Sequence, residues 1–497
     1  MLDFFPILTA CVCAVALINT RPGRGGNTIP WAKSSIPWLG NAIEWGADPL
    51  EFLLKQKRLV GDVFRVNLVL MKITFVVGPK WNHWLLKELP EEEASAYQTL
   101  PALSCGVITG AHVEHGLPLQ VSKTIRLGSN PPARQQNIAS LSMNIAQPTF
   151  DEWASRDNVD LFAESSDLLL RVIFTTCFGR DFAEAHFGEL SAIMRGLQQG
   201  LTSPWSRLLP LWATPAGRGI LRARSSLQDL LTAEVQDRLN DLDNCRESED
   251  YLSFMLVSNG DKGSVGTDSE LTAHFAAYFI TAHANMAGVF GWTILHLLQN
   301  PDFLSAFETE IAQNPCTDDG TYPLKAMPLG EACVRETGRL YGNAISLRYA
   351  TQDLAGPDGT IIPKGFVSAS PLAVHQDPVL FPQPGKWNPS RFLASEDGTP
   401  SPYPELHKKS QFHLFGSGKH MCPGEKMANT ILRGSLWPAL LNKYRLKITG
   451  GLNEGEGVDQ VGVKPDHGKT LGVPYGVRPV FVKLLKREIP LSAVIIE

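Results

Sequence analysis

The chain predicts a mainly α-helical fold with small β-sheets, and three observations carry that reading. An apolar helical pattern runs unbroken from Thr267 to Asn300, and most of the chain up to about residue 340 reads as helices. The strand-like stretches are short and confined to Asp62–Gly78, Tyr349–Pro371 and the C-terminal end. With 497 residues, 43% hydrophobic and 19% charged, the chain can bury a large core, and it carries no internal repeat or low-complexity tract. A net charge of −5 with no long basic run excludes a general nucleic-acid binder.

Taken in order, Met1 to Leu17 is almost wholly apolar (Leu2, Phe4, Phe5, Ile7, Leu8, Val12, Ala14, Val15), and Arg21 and Arg24 follow at once. About 17 residues is the short end of a spanning helix, and basic residues after it place that side in the cytosol. A cleaved signal peptide is the competing reading. It wants a basic segment before the apolar run and a small-residue cleavage site, both poorly supplied here. The expectation is a retained membrane anchor over 1–20. Pro22, Gly23, Gly25, Gly26, Pro30 and Pro37 then give a non-helical linker over 21–37, ahead of a single folded unit over 38–497.

Asp62–Gly78, rich in Val, Phe and Ile, predicts a two-stranded ribbon turning near Leu70-Met71-Lys72. Thr267 and Glu270 have the spacing of a capping box, and Asn300-Pro301 stops the helix they begin. About 32 residues at about 1.5 Å each make a rod of about 48 Å, long enough to cross a large domain. Pro357-Asp358-Gly359 is a strong turn inside Tyr349–Pro371, and Leu471–Leu485 reads as a last hairpin.

The cysteines stand at 11, 13, 105, 177, 245, 316, 333 and 422, with no disulfide framework in their spacing, which fits the cytosol. Cys422 alone has a built setting, Phe415-Gly416-Ser417-Gly418-Lys419-His420-Met421-Cys422-Pro423-Gly424. Gly416, Gly418 and Gly424 let backbone approach a flat cofactor, and Pro423-Gly424 turns the chain so that amide groups can point at one sulfur. A helix from Glu425 to about Trp437, ended by Pro438, would further favour a thiolate at its start.

The spacing Phe-x-x-Gly-x-His-x-Cys-x-Gly resembles the haem-binding loop of the cytochrome P450 superfamily. The resemblance implies haem b, with Cys422 as the axial iron ligand and Phe415, Gly418, His420 and Gly424 around it. Two further segments follow the family's order. One is Glu336 and Arg339, three apart on a predicted helix; the other runs from Ile362-Pro363-Lys364-Gly365 to Asn388-Pro389-Ser390-Arg391-Phe392. The resemblance implies a buried Glu336–Arg339–Arg391 cluster supporting the haem-side core. It also offers His420, Arg348, Lys123 and Arg126 as partners of the haem propionates.

The central helix departs from the family's usual small-Gly-x-acid-Thr-Thr stretch, reading Thr281-Ala282-His283-Ala284-Asn285-Met286. Ala284 stands at the acid and Asn285 at the threonine. A one-residue shift puts His283 at the acid, as in sterol 14α-demethylases. The run resembles more closely the Ala-Asn or Gly-Asn version of cholesterol 7α-hydroxylase and prostacyclin synthase. The first implies oxygen activation with Asn285 ordering a water and His283 as a secondary donor. The second implies an isomerase or dehydratase that needs neither oxygen nor reductant. For His283 a satisfied core histidine is the alternative.

The expected pocket wall draws on Val107, Ile108, Ala282, Ala344, Ile345 and Val473, mostly small or aliphatic residues that suit a lipophilic terpenoid, steroid or fatty-acyl substrate. Pro204-Trp205 and Leu208-Leu209-Pro210-Leu211-Trp212 form an apolar loop, read either as core or as a surface resting in the membrane. Lys408, Lys409, Lys419, Lys426 and Arg433 surround the cysteine loop and could steer an acidic NADPH-dependent reductase. The sum is an expected endoplasmic-reticulum-anchored monomeric monooxygenase of specialised metabolism, facing the cytosol. A non-catalytic haem-binding membrane protein is the alternative from another class.

Overall fold

A computed structural model describes residues 29–493 except 34–39, 69–70, 204, 260–266, 318–320, 343–344, 396, 453–461 and 467–471. The segment Met1–Leu17 lies outside them. Among the described residues no helix is long and apolar enough to cross a membrane.

The central helix, Asp268–Gln299, begins and ends where the sequence places it. Thr267 Oγ1 accepts from the Glu270 amide and the Glu270 carboxylate accepts from the Thr267 amide, so two of the four unpaired amides of the first turn are satisfied reciprocally. Helices Leu161–Phe178, Phe187–Thr202 and Pro215–Leu239 pack along it. The main core fills between them with Phe174, Phe178, Phe275, Phe279, Trp292 and Trp437. Aspartate and threonine caps repeat the logic at Asp160 and Thr214, each accepting from amides of the helix it opens.

One five-stranded sheet lies to the side, in the order Val63–Leu68, Met71–Val76, Gly365–Ala369, Ser346–Ala350, Ala94–Ser95, parallel only between the second and third. The expected ribbon is its edge pair, with Phe64 opposite Phe75 and their rings stacked at 5.9 Å. The turn at Pro357-Asp358-Gly359 joins two short strands, where Gly359 adopts φ +87° and Asp358 Oδ1 accepts from the Thr360 amide.

Within the segment read as a linker, Trp31 bridges Arg65 of the edge strand, whose guanidinium lies 4.5 Å over the indole. Two expectations need correction. The helix after the cysteine loop does not stop at Pro438. A π-helical turn, Leu432–Leu436, connects Glu425–Ile431 to Trp437–Lys443, and its wider hydrogen-bonding leaves Pro438 in the first turn of the new segment, where its missing amide costs nothing. The C-terminal stretch is not one hairpin. Tyr475–Gly476 pairs with Pro465–Asp466, and Phe481–Lys486 lies between Tyr444–Gly450 and Val159–Asp160, because its alternate residues Val482 and Leu484 bury into the main core.

Candidate active site

The Cys422 loop is closed by the Cys422 amide donating to the Phe415 carbonyl at 2.8 Å. Gly416 and Gly418 hold φ of +75° and +65°, which side chains adopt only with strain. At Gly418 there is also no room, because a Cβ would run into the Leu86 carbonyl, so this glycine serves protein packing. Gly424 has an ordinary φ of −93° and sits at the start of helix Glu425–Ile431.

Cys422 keeps accessible surface although protein packs closely around its thiol. Burial pushes its thiol up. The backbone N–H groups of Gly424 and Glu425 and the Arg126 guanidinium pull the other way, while the Glu425 carboxylate adds to the upward push. A metal cation overturns that balance, since a coordinated thiol loses its proton outright. Arg126 is tied to the loop through the Met421 carbonyl at 2.7 Å. Lys123, one turn earlier, is exposed and touches none of it in the described structure.

Beside the loop lies a charged group that the sequence shows only in part. His420 Nε2 meets Glu91 Oε2 at 2.7 Å and its ring stands edge-on to Tyr97 at 5.1 Å. Glu91 also accepts from Ser95 Oγ and the Tyr97 amide; burial pushes its carboxyl up, but these donors and His420 hold it at about 2. Next to them Arg348, only 6% exposed, donates to the Leu347 carbonyl and has no carboxylate within ion-pair distance among the described residues. A buried guanidinium without a counter-charge is costly. Beside a thiol supplied with amide donors, it fits a haem whose propionates would complete Arg348. Glu91 and Tyr97 were not predicted: Glu91 is one of three consecutive glutamates, and nothing local distinguishes it.

Glu336 and Arg339 come together as a bidentate pair, Arg339 Nε to Oε2 at 2.7 Å and Nη2 to Oε1 at 2.9 Å, both fully buried. Arg391 Nε and the Asn388 amide join on Oε1 at 3.3 and 2.9 Å. Arg339 and Arg391 also bind carbonyls of His375, Gln383 and Lys386. Burial pushes the Glu336 carboxyl up and the two guanidinium groups and the Asn388 amide pull it back. The cluster therefore ties helix Pro328–Tyr341 to the segment leading to the cysteine loop.

On the central helix Thr281 and Asn285 are exposed and Ala277, Ile280 and Ala282 partly so, a stripe of accessible surface in the middle of a buried element. His283 is not on that stripe. It is 1% exposed, with Nδ1 at 3.1 Å from Gln198 Nε2 and Nε2 at 3.1 Å from both the Ser166 hydroxyl and the Ser166 carbonyl. Two residues along a helix turn a side chain by about 200°, so facing Asn285 outward turns His283 into the core. It is a satisfied core histidine and not a donor beside Asn285. Ala284 is likewise buried.

Of the expected wall, Ile108, Ala282 and Ile345 keep accessible surface, and Ala344 lies outside the described residues. Val107 belongs to the main core and Val473 is wedged against the central helix, so neither offers a free face. Arg433 is also not a surface cation: it is buried and donates to the Leu324 and Met327 carbonyls, with Glu331 beside it.

The sequence profile described as Cytochrome P450 matches residues 30–466. The chain is similar to "Cytochrome P450 monooxygenase pyvB" of Aspergillus violaceofuscus, 28% identical over 401 residues that cover 80% of this chain and 79% of the relative. It is similar to "Cytochrome P450 monooxygenase pynD" of Aspergillus niger, 27% identical over 440 residues, 86% and 88% of the two chains. "Sterol 14-demethylase" of Arabidopsis thaliana is 26% identical over 425 residues, 82% and 83% of the two chains. Since the profile spans most of the chain and the segment it covers holds both the cysteine loop and the buried ionic cluster, the chain belongs to the cytochrome P450 family and is an oxidoreductase of the monooxygenase kind.

Proposed function

We propose that the chain inserts one oxygen atom from O₂ into a lipophilic substrate of terpenoid, steroid or similar character in the making of a specialised metabolite. The observations that carry this reading are the accessible Cys422 and the accessible stripe on the central helix, whose exposed polar side chains are Thr281 and Asn285 amid apolar neighbours; we read the space they border as the substrate cleft. The similarity to a sterol 14-demethylase supports a bulky, largely apolar substrate. Haem, when bound, would supply the iron at which oxygen is activated. Cys422 would hold that iron, and Arg348, with Arg126 and Tyr97 near it, would take the propionates; His420 is already engaged by Glu91.

Asn285 would order the water that carries the proton. Its amide donates one N–H to the Thr281 carbonyl at 2.9 Å and accepts from the Val473 amide at 3.2 Å. An amide has two N–H donors and two lone pairs, so one of each remains to hold a water on the accessible side. The buried Ala284 in the acid's place also favours a second reading, rearrangement of an oxygenated substrate without O₂ or reductant.

Electrons would come from NADPH through a reductase docking on the face carrying Lys408, Lys409, Lys419 and Lys426, all exposed. Trp205, Leu209 and Trp212, exposed by 58%, 36% and 71%, form an apolar surface suited to resting on a membrane. Together with the expected 1–20 anchor, followed by Arg21 and Arg24, it supports a catalytic body held against the cytosolic face of the endoplasmic reticulum. Turnover of a terpenoid and steroid panel with reductase under ¹⁸O₂ tests the proposal. Product that requires NADPH and carries the heavy label supports monooxygenation, whereas unlabelled product without NADPH supports rearrangement.

A further inference from the structure

We infer that Asn285 is a positioning residue that bolts the Gly472-Val473-Pro474 segment to the central helix and thereby sets the size of molecule the cleft accepts; the inference rests on reading that cleft as the substrate site.

The bolt has three points on one helical stripe, Asn285, Gly288 and Trp292, spaced i, i+3 and i+7. At the first, Asn285 Oδ1 accepts from the Val473 amide at 3.2 Å while Nδ2 donates to the Thr281 carbonyl at 2.9 Å. Both partners are backbone groups of unambiguous polarity, so the orientation of the amide is fixed by its surroundings. At the second, Gly288 leaves the helix bare where Val473 sits: a Cβ there would lie 2.6 Å from Val473 Cγ1 and 2.7 Å from its carbonyl oxygen. At the third, the Trp292 indole N–H donates to the Pro474 carbonyl at 2.6 Å. Tyr475 continues the contact by stacking on Phe162, whose ring packs against Trp292 at 4.9 Å.

The loop side is shaped to match. A Cβ on Gly472 would stand 2.6 Å from Asn285 Oδ1, so the close approach needs glycine there. The two ends of the bolt differ in setting. Trp292 is fully buried, whereas Asn285 is exposed on the accessible stripe, so the cleft end of the attachment is the amide itself. A threonine hydroxyl can donate and accept, but only through one oxygen close to the helix, whereas the asparagine carboxamide carries its acceptor and its donors on separate atoms further out. That spacing suits asparagine to join the Thr281 carbonyl and the Val473 amide.

The test uses full-length, haem-loaded protein and needs no turnover. Amide hydrogen exchange at Val473 and optical titration with imidazole and with the bulky azole clotrimazole are compared in wild type, Asn285→Ala and Gly472→Ala. Loss of one hydrogen bond predicts exchange at Val473 about fivefold faster in Asn285→Ala. The ratio of clotrimazole to imidazole affinity should shift by at least about threefold, because a segment released from the helix changes the room left for a large ligand far more than for a small one. Gly472→Ala, which leaves the Asn285 side chain in place but forces the loop off it, should do the same. Asn285→Asp, which keeps an acceptor for the Val473 amide, should recover much of the protection. Unchanged exchange in both alanine variants would overturn the bolt, and faster exchange with an unchanged affinity ratio would overturn its role in setting the cleft. Should Asn285→Ala fail to load haem, Gly472→Ala alone decides. Failure of the monooxygenase reading would appear instead in the labelled-oxygen experiment, with these ligand titrations intact.

Discussion

Helix Pro328–Tyr341 and the central helix Asp268–Gln299 both carry buried polar side chains, but they satisfy them in opposite ways. In the first, Glu336 finds Arg339 one turn away on its own helix, and the chain then brings Arg391 and the Asn388 amide to the same carboxylate. In the second, several polar side chains reach distant elements: the buried His283 meets Ser166 and Gln198, the buried Trp292 donates to Pro474, and the exposed Asn285 accepts from Val473 while donating to Thr281 of its own helix. The first arrangement is an ionic knot centred on one carboxylate, and the second a set of separate attachments to neighbouring elements.

Breaking the knot should therefore cost most. Glu336→Ala leaves the Arg339 guanidinium fully buried with its ion-pair partner gone, a loss of about 3–5 kcal/mol. The expected result is a fall in thermal midpoint and failure to incorporate haem, read from the Soret absorbance of purified protein; normal haem content would refute the cluster's supporting role. Next in size is Arg348→Met. This removes a buried cation that has no carboxylate within ion-pair distance among the described residues, and charge-assisted hydrogen bonds of the kind it would make are worth about 1.5–3 kcal/mol. Haem transfer to an apomyoglobin trap should accelerate by about tenfold or more. His420→Ala should move it less, because Glu91 already holds that imidazole.

The same contrast explains what could be read from the residues alone. Glu336–Arg339 and the Thr267–Glu270 box are visible because helical periodicity makes neighbours of residues three apart. The cysteine loop is visible because the backbone needs glycine at Gly416 and Gly418 for their positive φ. For His283 the residues alone leave donor and core histidine open, because spacing does not say which way a helix is rotated about its axis, and that rotation is set by packing against Leu161–Phe178 and Phe187–Thr202. Arg433 was misread for a related reason: a basic residue in a helix is normally exposed, and its burial depends on carbonyls contributed from Leu324 and Met327, over a hundred residues away. Glu91 and Val473 belong to the same class of long-range partner.

His283 gives a prediction of intermediate size with a defined pH sign. Burial holds the imidazole at about 4, below its ordinary 6.5, while the Ser166 carbonyl pulls slightly the other way. The unfolded chain thus takes up this proton before the folded one does. The contribution to stability is present above about pH 6.5 and is lost as pH falls through 6.5 towards 4. His274 at about 4 and His296 at about 3 act in the same direction. Replacing His283 by Gln should flatten the fall in thermal midpoint between pH 6.5 and 4, while leaving the coupling of reductant use to product at wild-type level. A drop in coupling would return His283 to the proton path.

The smallest effect on stability separates the cations around the cysteine loop. Lys426→Ala removes an exposed ammonium and should shift the thermal midpoint by no more than surface substitutions do, within about 0.5 kcal/mol. Arg433→Ala, seven residues further on in the π-helical turn Leu432–Leu436, should destabilise by several times that, because two buried carbonyls and Glu331 lose their donor. The rate of electron transfer from reductase should show the reverse ranking among folded variants. It should fall for Lys426→Ala and Lys419→Ala, and fall further as ionic strength rises, since steering acts through exposed charge and is screened over about 10 Å at 0.1 M salt. If removing these lysines left both the rate and its salt dependence unchanged, the docking surface would have to lie elsewhere, and the buried Arg433 would remain a structural residue in either case.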